Sequence, residues 1–190
     1  RPFYDYALAK YPDVKKVAVI TPEVAGATTY EDMVKAEYAA RGIEIVYWEV
    51  YPAPLFDFYS ILNKALGAKP DAIECIFGIV PDTSAIVNQS RELGYTGPIF
   101  GPCTLGDSET LSIIISPENA YDVLSSAPLC ASDKMTDNVK RLAEKLKAAG
   151  VSVQLDSILL FDACSAMIAA IDTAQSVDTE KVVAAIDSGA

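Results

Sequence analysis

Residues 14–30 read VKKVAVITPEVAGATTY: two lysines, a five-residue apolar run from Val17 to Thr21, a turn holding Gly26, and then the start of a helical pattern. A β-branched run that ends in a small-residue loop at the head of a helix is the repeating unit of a parallel α/β sheet, and such loops are where these sheets hold ligands. Similar runs recur at 16–21, 43–50, 72–80, 98–102 and 121–127, with helical spacing between them. This alternation predicts a parallel, doubly wound, Rossmann-like sheet with helices on both faces and right-handed crossovers.

The connecting segments carry their own start and stop signals. In the first, Tyr30, Met33, Val34 and Tyr38 fall on one helical face, Glu31, Lys35 and Glu37 on the other, and Gly42 ends the helix. The second starts after the two prolines of VYPAPLFDF, with Asp57 placed to cap it, and the third starts after Pro81 with Asp82 as cap, Ile86, Val87 and Leu93 inward, and Gly94 at its end. The pattern changes near residue 128. From there helices are expected at 133–149, closed by Gly150, at 157–174, and after Asp178, with Val151–Leu155 as one short strand. Residues 1–130 therefore read as one α/β lobe and 131–190 as helices entering a second lobe that is incomplete in this stretch. The helix at 157–174 is apolar nearly all round, with too little beside it to pack against.

Charge and composition remove several function classes. Lys and Arg total 15 against 26 Asp and Glu, a formal charge of −11 with the acidic residues scattered along the chain. Nucleic-acid binding needs clustered cations, and the most basic stretch, Lys140, Arg141, Lys145 and Lys147, reads as a solvated helix face. Histidine is absent, so neither a Ser-His-Asp nor a Cys-His arrangement can be built from this chain. Gly26 stands alone where a dinucleotide fingerprint needs three spaced glycines, and no phosphate-loop motif occurs. No cofactor, metal site or enzymatic role is expected. Cys75, Cys103, Cys130 and Cys164 form no C-x-x-C pair; Cys75 and Cys164 lie in apolar runs and read as buried free thiols. Apolar stretches such as Ile158–Phe161 are broken by Asp162, so no membrane insertion is expected. The opening on Arg1-Pro2 reads as a piece of a longer protein whose leader lies elsewhere.

Further motifs run in order along the chain: D-F-x-x-x-L (Asp57, Phe58, Leu62), K-P-D-A-I (Lys69–Ile73), S-R-E-L-G-Y-T-G-P-I-F-G (Ser90–Gly101), F-D-A-C-S-A-M-I-A-A-I-D-T-A (Phe161–Ala174) and S-V-D-T-E-K-V-V-A-A-I (Ser176–Ile186). Together they resemble the second lobe of the periplasmic solute-binding proteins of the branched-chain amino-acid class, the type I fold receptors of ABC importers. The resemblance implies two similar lobes joined by three crossings, a small ligand clamped between them, an ABC permease as partner, and a periplasmic or cell-surface location. A signal-sensing domain of the same fold is the alternative. A lobe separated from its partner would expose the shared face and self-associate.

Ligand contacts are expected in the loops at the carboxyl ends of the strands: Thr21, Glu23, Gly26 and Thr28 in the first, Gly78 and Asp82 in the third, Cys103 and Thr104 in the fourth. Relatives that bind amino acids usually carry a tyrosine-glycine pair in the first loop and an acidic residue after the Gly-Pro of the fourth, facing the ligand's ammonium. Here the first loop reads Val24-Ala25-Gly26-Ala27 and the fourth Gly101-Pro102-Cys103-Thr104. A buried ammonium needs a counter-charge, so either Glu23 or Asp82 supplies it or the ligand is an amine-free carboxylate. Tyr47, Trp48 and Tyr51 resemble an aromatic ligand box, with strand packing as the plainer reading.

Overall fold

β1 (Lys16–Pro22) is the spine of the architecture, pairing in parallel with β2 (Glu44–Tyr51) on one side and β3 (Ala72–Cys75) on the other. The computed structural model describes residues 2–25, 27–76, 80–101, 115–125, 136–151, 153 and 155–189, without the side chains of 27, 28, 80, 155 and 156. β4 (Ile99–Gly101) and β5 (Val123–Ser125) continue the sheet, giving the order β2-β1-β3-β4-β5 with every described pairing parallel. The chain divides into two compact units, residues 1–127 and 128–190.

Alternation along the strands sends side chains into two cores. Ala18, Ile20, Ile73, Cys75 and Ile99 pack with Leu62 and Ala65 of α3 (Tyr59–Gly67) and with Ile86 and Val87 of α4 (Val80–Glu92). Val17, Val19, Ala72 and Phe100 pack with Val34 and Tyr38 of α2 (Ala27–Ala39) and with Tyr4 and Ala7 of α1 (Pro2–Lys10). The helices thus lie on both faces, as the alternating runs predict. The K-P-D motif has a direct physical role: Asp71 accepts the backbone amides of Lys15 and Lys16 at 2.9 and 2.8 Å, tying the entry of β1 to that of β3.

Several local expectations need correction. Helix α1 gives no clear periodic signal, because aromatic residues surround it and Tyr6 faces solvent. Met33 is exposed where an inward position is expected; Val34 and Tyr38 occupy the buried line, and a residue next to Val34 sits 100° away around the helix. The run 72–80 is not one strand, since β3 ends at Cys75 and α4 already begins at Val80. Asp57 satisfies one amide, that of Tyr59 at 3.1 Å, while the amide of Phe58 at the helix start is held by Gln89 Oε1 at 2.6 Å.

In the second unit, α5 (Asp137–Ala148) is capped by Thr136, whose Oγ1 accepts the Val139 amide, and ends before Gly150 at φ 73°. Val151 and Val153 take no strand conformation, and α6 (Leu155–Ala174) starts at the residue expected to close one. α7 (Thr179–Asp187) is capped by Asp178 and packs Val182 and Ala185 around Ala170 of α6. Leu159, Leu160, Met167 and Ile168 of α6 are exposed, and so is Cys164, contrary to the buried-thiol expectation. Ser157–Ala174, with a mean hydropathy of 1.6, is long and apolar enough to cross a membrane by length and composition; Asp162 and Asp172 do not break the helix, which corrects the expectation drawn from short apolar runs.

Candidate functional site

The carboxyl ends of β1 and β2 and the first turn of α4 meet at one edge of the sheet, and Tyr51 joins them. The register sets Pro22 opposite Tyr51, and the Glu23 amide donates to the Tyr51 carbonyl at 2.8 Å. The Tyr51 ring is 1% exposed and packs edge-on to Phe58 at 4.9 Å, while its hydroxyl donates to Asp82 Oδ2 at 3.0 Å. Burial and this carboxylate raise the tyrosine's pKa well above its ordinary range. One side chain of β2 thus ties the strand ends to the helix.

Asp82 is therefore not the cap that the sequence suggests. α4 begins two residues earlier, which places Asp82 inside the first turn, fully buried and committed to Tyr51. Its second oxygen, Oδ1, and the adjacent Thr83 Oγ1 are buried without a hydrogen-bond partner among the described residues. A buried polar atom left in this state is costly, and the first turn of a helix also presents free amides. The edge therefore combines an unsatisfied acceptor, an unsatisfied hydroxyl and a helix start.

Of the expected contacts, the structure ties Glu23, by its backbone amide, and Asp82, by its carboxylate, to Tyr51, and does not bring Thr21 to either. Thr21 is buried and, among the described residues, its hydroxyl reaches only the Pro22 carbonyl at 3.4 Å, while Glu23 is exposed. Gly26, Gly78, Cys103 and Thr104 lie outside the described residues, as does the side chain of Thr28, whose backbone belongs to the first turn of α2. The aromatic trio is packing, not a box: Tyr51 is buried, Tyr47 bonds Glu49 and lies against the α3–α4 core, and Trp48 packs in the other core with Lys35 5.3 Å from its ring centroid. Among the described residues no group of three or more potential ligands is placed to hold a metal. Thr83 escapes sequence reasoning because nothing in its local pattern separates it from an ordinary helix residue. The link from Tyr51 to Asp82 crosses two elements and leaves no spacing signal.

A family model described as periplasmic binding protein matches residues 3–190. Among solved structures, a leucine-binding protein, LivK, from Thermotoga maritima superposes with a TM-score of 0.81 at 23% identity, over 96% of this chain and 52% of its own. A type 1 periplasmic binding protein from Bordetella pertussis gives 0.81 at 20% identity over 96% and 52%, and a putative branched-chain amino acid ABC transporter protein from Rhodospirillum rubrum gives 0.71 at 20% over 97% and 53%. A search of curated proteins finds no match. The chain spans about half the length of these solved proteins. With a parallel five-stranded sheet flanked by helices on both faces and a family match across nearly its whole length, the chain belongs to the periplasmic binding protein family.

Proposed function

We propose that this chain is the greater part of one lobe of an extracytoplasmic solute receptor, without enzymatic activity, that clamps a small carboxylate-bearing ligand against a second lobe and delivers it to an ABC import permease. The observation that supports this reading is the strand-end edge organised by Tyr51, which accepts the Glu23 amide through its carbonyl and donates its hydroxyl to Asp82, at the strand ends where parallel sheets receive ligands. Helix starts at α2 and α4 favour the ligand's carboxylate. Glu23 is the exposed carboxylate at this edge and Asp82 the buried one, and either can face an ammonium. Gly26, Thr28, Gly78, Cys103 and Thr104 complete the proposed contact set. Two classes of ligand fit: amino acids, if one of these carboxylates supplies the counter-charge, and amine-free organic or aromatic acids if neither does.

Residues 1–130 form the ligand lobe on this reading, and 131–190 cross toward the other. The exposed apolar face of α6 is then the surface that the other lobe covers, and the 190-residue chain in isolation self-associates through it.

A thermal-shift screen of the intact receptor against amino acids, aliphatic acids and aromatic acids tests the assignment. A ligand at ~100 times its dissociation constant adds roughly 2.7 kcal/mol to stability. Stabilisation by amino acids that is lost on Glu23→Gln or Asp82→Asn supports a counter-charge from this edge. Stabilisation by amine-free acids alone assigns the site to that class. No stabilisation across all three classes refutes the ligand assignment.

A further inference from the structure

The middle strand carries a carboxyl group where its neighbours carry hydrocarbon. Glu74 of β3 pairs in register with Val19 of β1 and Phe100 of β4 and projects into the core covered by α1 and α2. It is 6% exposed. Tyr4 of α1 donates its hydroxyl to Glu74 Oε1 at 3.0 Å. Tyr38 of α2 stacks edge-on to Tyr4 at 5.0 Å, and both its hydroxyl and Glu74 Oε2 are buried without a hydrogen-bond partner among the described residues.

Among the described residues, the charged groups around this cluster offer Glu74 no counter-ion. Arg41, just past α2, lies 5.8 Å from the Tyr4 ring, but its guanidinium is paired with Asp5 of α1 at 2.7 Å and Glu37 of α2 at 2.6 Å. Glu37 and the Tyr30 hydroxyl, both from α2, add only negative or neutral character near Tyr4. The register partners from β1 and β4 are apolar, and the neighbouring Cys75 thiol lies in the opposite core. An ionised carboxylate here is desolvated and unpaired.

We infer that Glu74, Tyr4 and Tyr38 form a proton-operated clasp, which holds α1 on the sheet while the carboxyl is protonated and lets it lift when the carboxyl ionises. α1 is the element that can yield: it has nine residues, places only Tyr4 and Ala7 fully inside, and can leave without breaking any strand pairing. Its departure admits water to Oε1 and Oε2 together.

Burial raises the Glu74 pKa from its ordinary 4.5 to about 7, with the Tyr4 hydrogen bond and the nearby Tyr38 hydroxyl opposing the rise. A raised value means that the closed form is fully favoured below the ordinary value and loses that advantage as pH climbs through 7. Between pH 6 and pH 8 the opening equilibrium of α1 therefore shifts by about tenfold.

Hydrogen exchange of residues 2–10 in the intact protein, corrected for intrinsic rates, reads this directly. Protection of α1 should fall about tenfold from pH 6 to pH 8 while α3 amides do not change. Glu74→Gln keeps the shape and an acceptor for Tyr4 but cannot ionise, so its α1 protection should be the same at both pH values. A wild-type α1 that is insensitive to pH, a Glu74→Gln protein that keeps the tenfold change, or an α3 that changes equally would each overturn the clasp. Should the variant not fold, carbon NMR of the Glu74 carboxyl in the wild type decides alone: a midpoint near 7 supports the clasp and one in the ordinary range overturns it.

Discussion

Replacing Arg91 with alanine should be among the most damaging single changes in the sheet lobe. Arg91 ends α4 with 8% exposure, and its guanidinium donates to the carbonyls of Tyr95 at 2.9 Å, Gly97 at 2.8 Å and Tyr121 at 2.8 Å, with Asn119 O at 3.5 Å. It also stacks on the Tyr121 ring at 4.1 Å, and no carboxylate lies within ion-pair distance among the described residues. It thereby fixes the loop entering β4 and the turn entering β5. A hydrogen bond from a charged donor contributes about 1.5–3 kcal/mol net, so three good ones total roughly 5–9 kcal/mol as an upper bound for a guanidinium buried to this extent. That burial is felt, since desolvation pulls the Arg91 pKa below its ordinary value. Removing the guanidinium leaves three carbonyls without their donor, at about 1–3 kcal/mol for each that stays buried, so a total loss of roughly 3–5 kcal/mol is expected. Urea unfolding of Arg91→Ala should show that loss, with a Tm lowered by the order of 10 °C. Arg91→Lys should recover less than half of it, since one ammonium cannot fork to carbonyls on two loops. A loss below about 1 kcal/mol for the alanine variant, or a lysine variant equal to wild type, would refute the reasoning.

Three other outcomes follow from the geometry. Tyr51→Phe keeps the ring against Phe58 but strips Asp82 of its donor, which should cost about 1–3 kcal/mol in chemical denaturation, whereas a surface role would cost nothing measurable. Gly97→Ala places a Cβ 2.5 Å from the Tyr95 hydroxyl and 2.8 Å from the Asp71 carbonyl, so a loss of about 1–3 kcal/mol is expected, and a neutral change would show that the loop can shift. Sedimentation of the isolated 190-residue chain should show concentration-dependent oligomers, which Leu160→Glu together with Ile168→Glu should dissolve; a clean monomer of the unmutated chain at high concentration would contradict the exposed role given to α6.

The sheet is legible in the sequence wherever period and composition agree. Val17–Thr21, the 43–50 run and the 72–76 stretch are rich enough in apolar and β-branched residues to be read directly despite Glu44, Glu49 and Glu74, and the glycines at 42 and 94 mark helix ends in the left-handed region, at φ 66° and 85°. α1 is not legible, because tyrosines on its buried and exposed sides blur the stripe. The misplacement of Asp82 has a different cause: Pro81 reads equally well as the residue before a helix and as one inside its first turn, and only tertiary structure shows that the carboxylate faces Tyr51. Cys164 illustrates a third limit, since an apolar helix reads as buried whether or not a partner is beside it. The loops proposed to hold the ligand are read from the sequence, but Tyr51, which joins strand β2 to helix α4, emerges only when the two are brought together.

The strand order also has a kinetic consequence. Lys16 must find Glu44, Val17 must find Ala72, Ile73 must find Ile99, and Ile99 must find Val123, each partner lying more than twenty residues away along the chain. No described strand can zip to its neighbour through a hairpin, so loop-closure entropy is spent before any sheet contact compensates it, and such topologies form slowly. β1 is locked between its two neighbours only after both the 44–51 and the 72–75 segments have returned to it, so the spine of the sheet is among the last pairings that local sequence alone could secure.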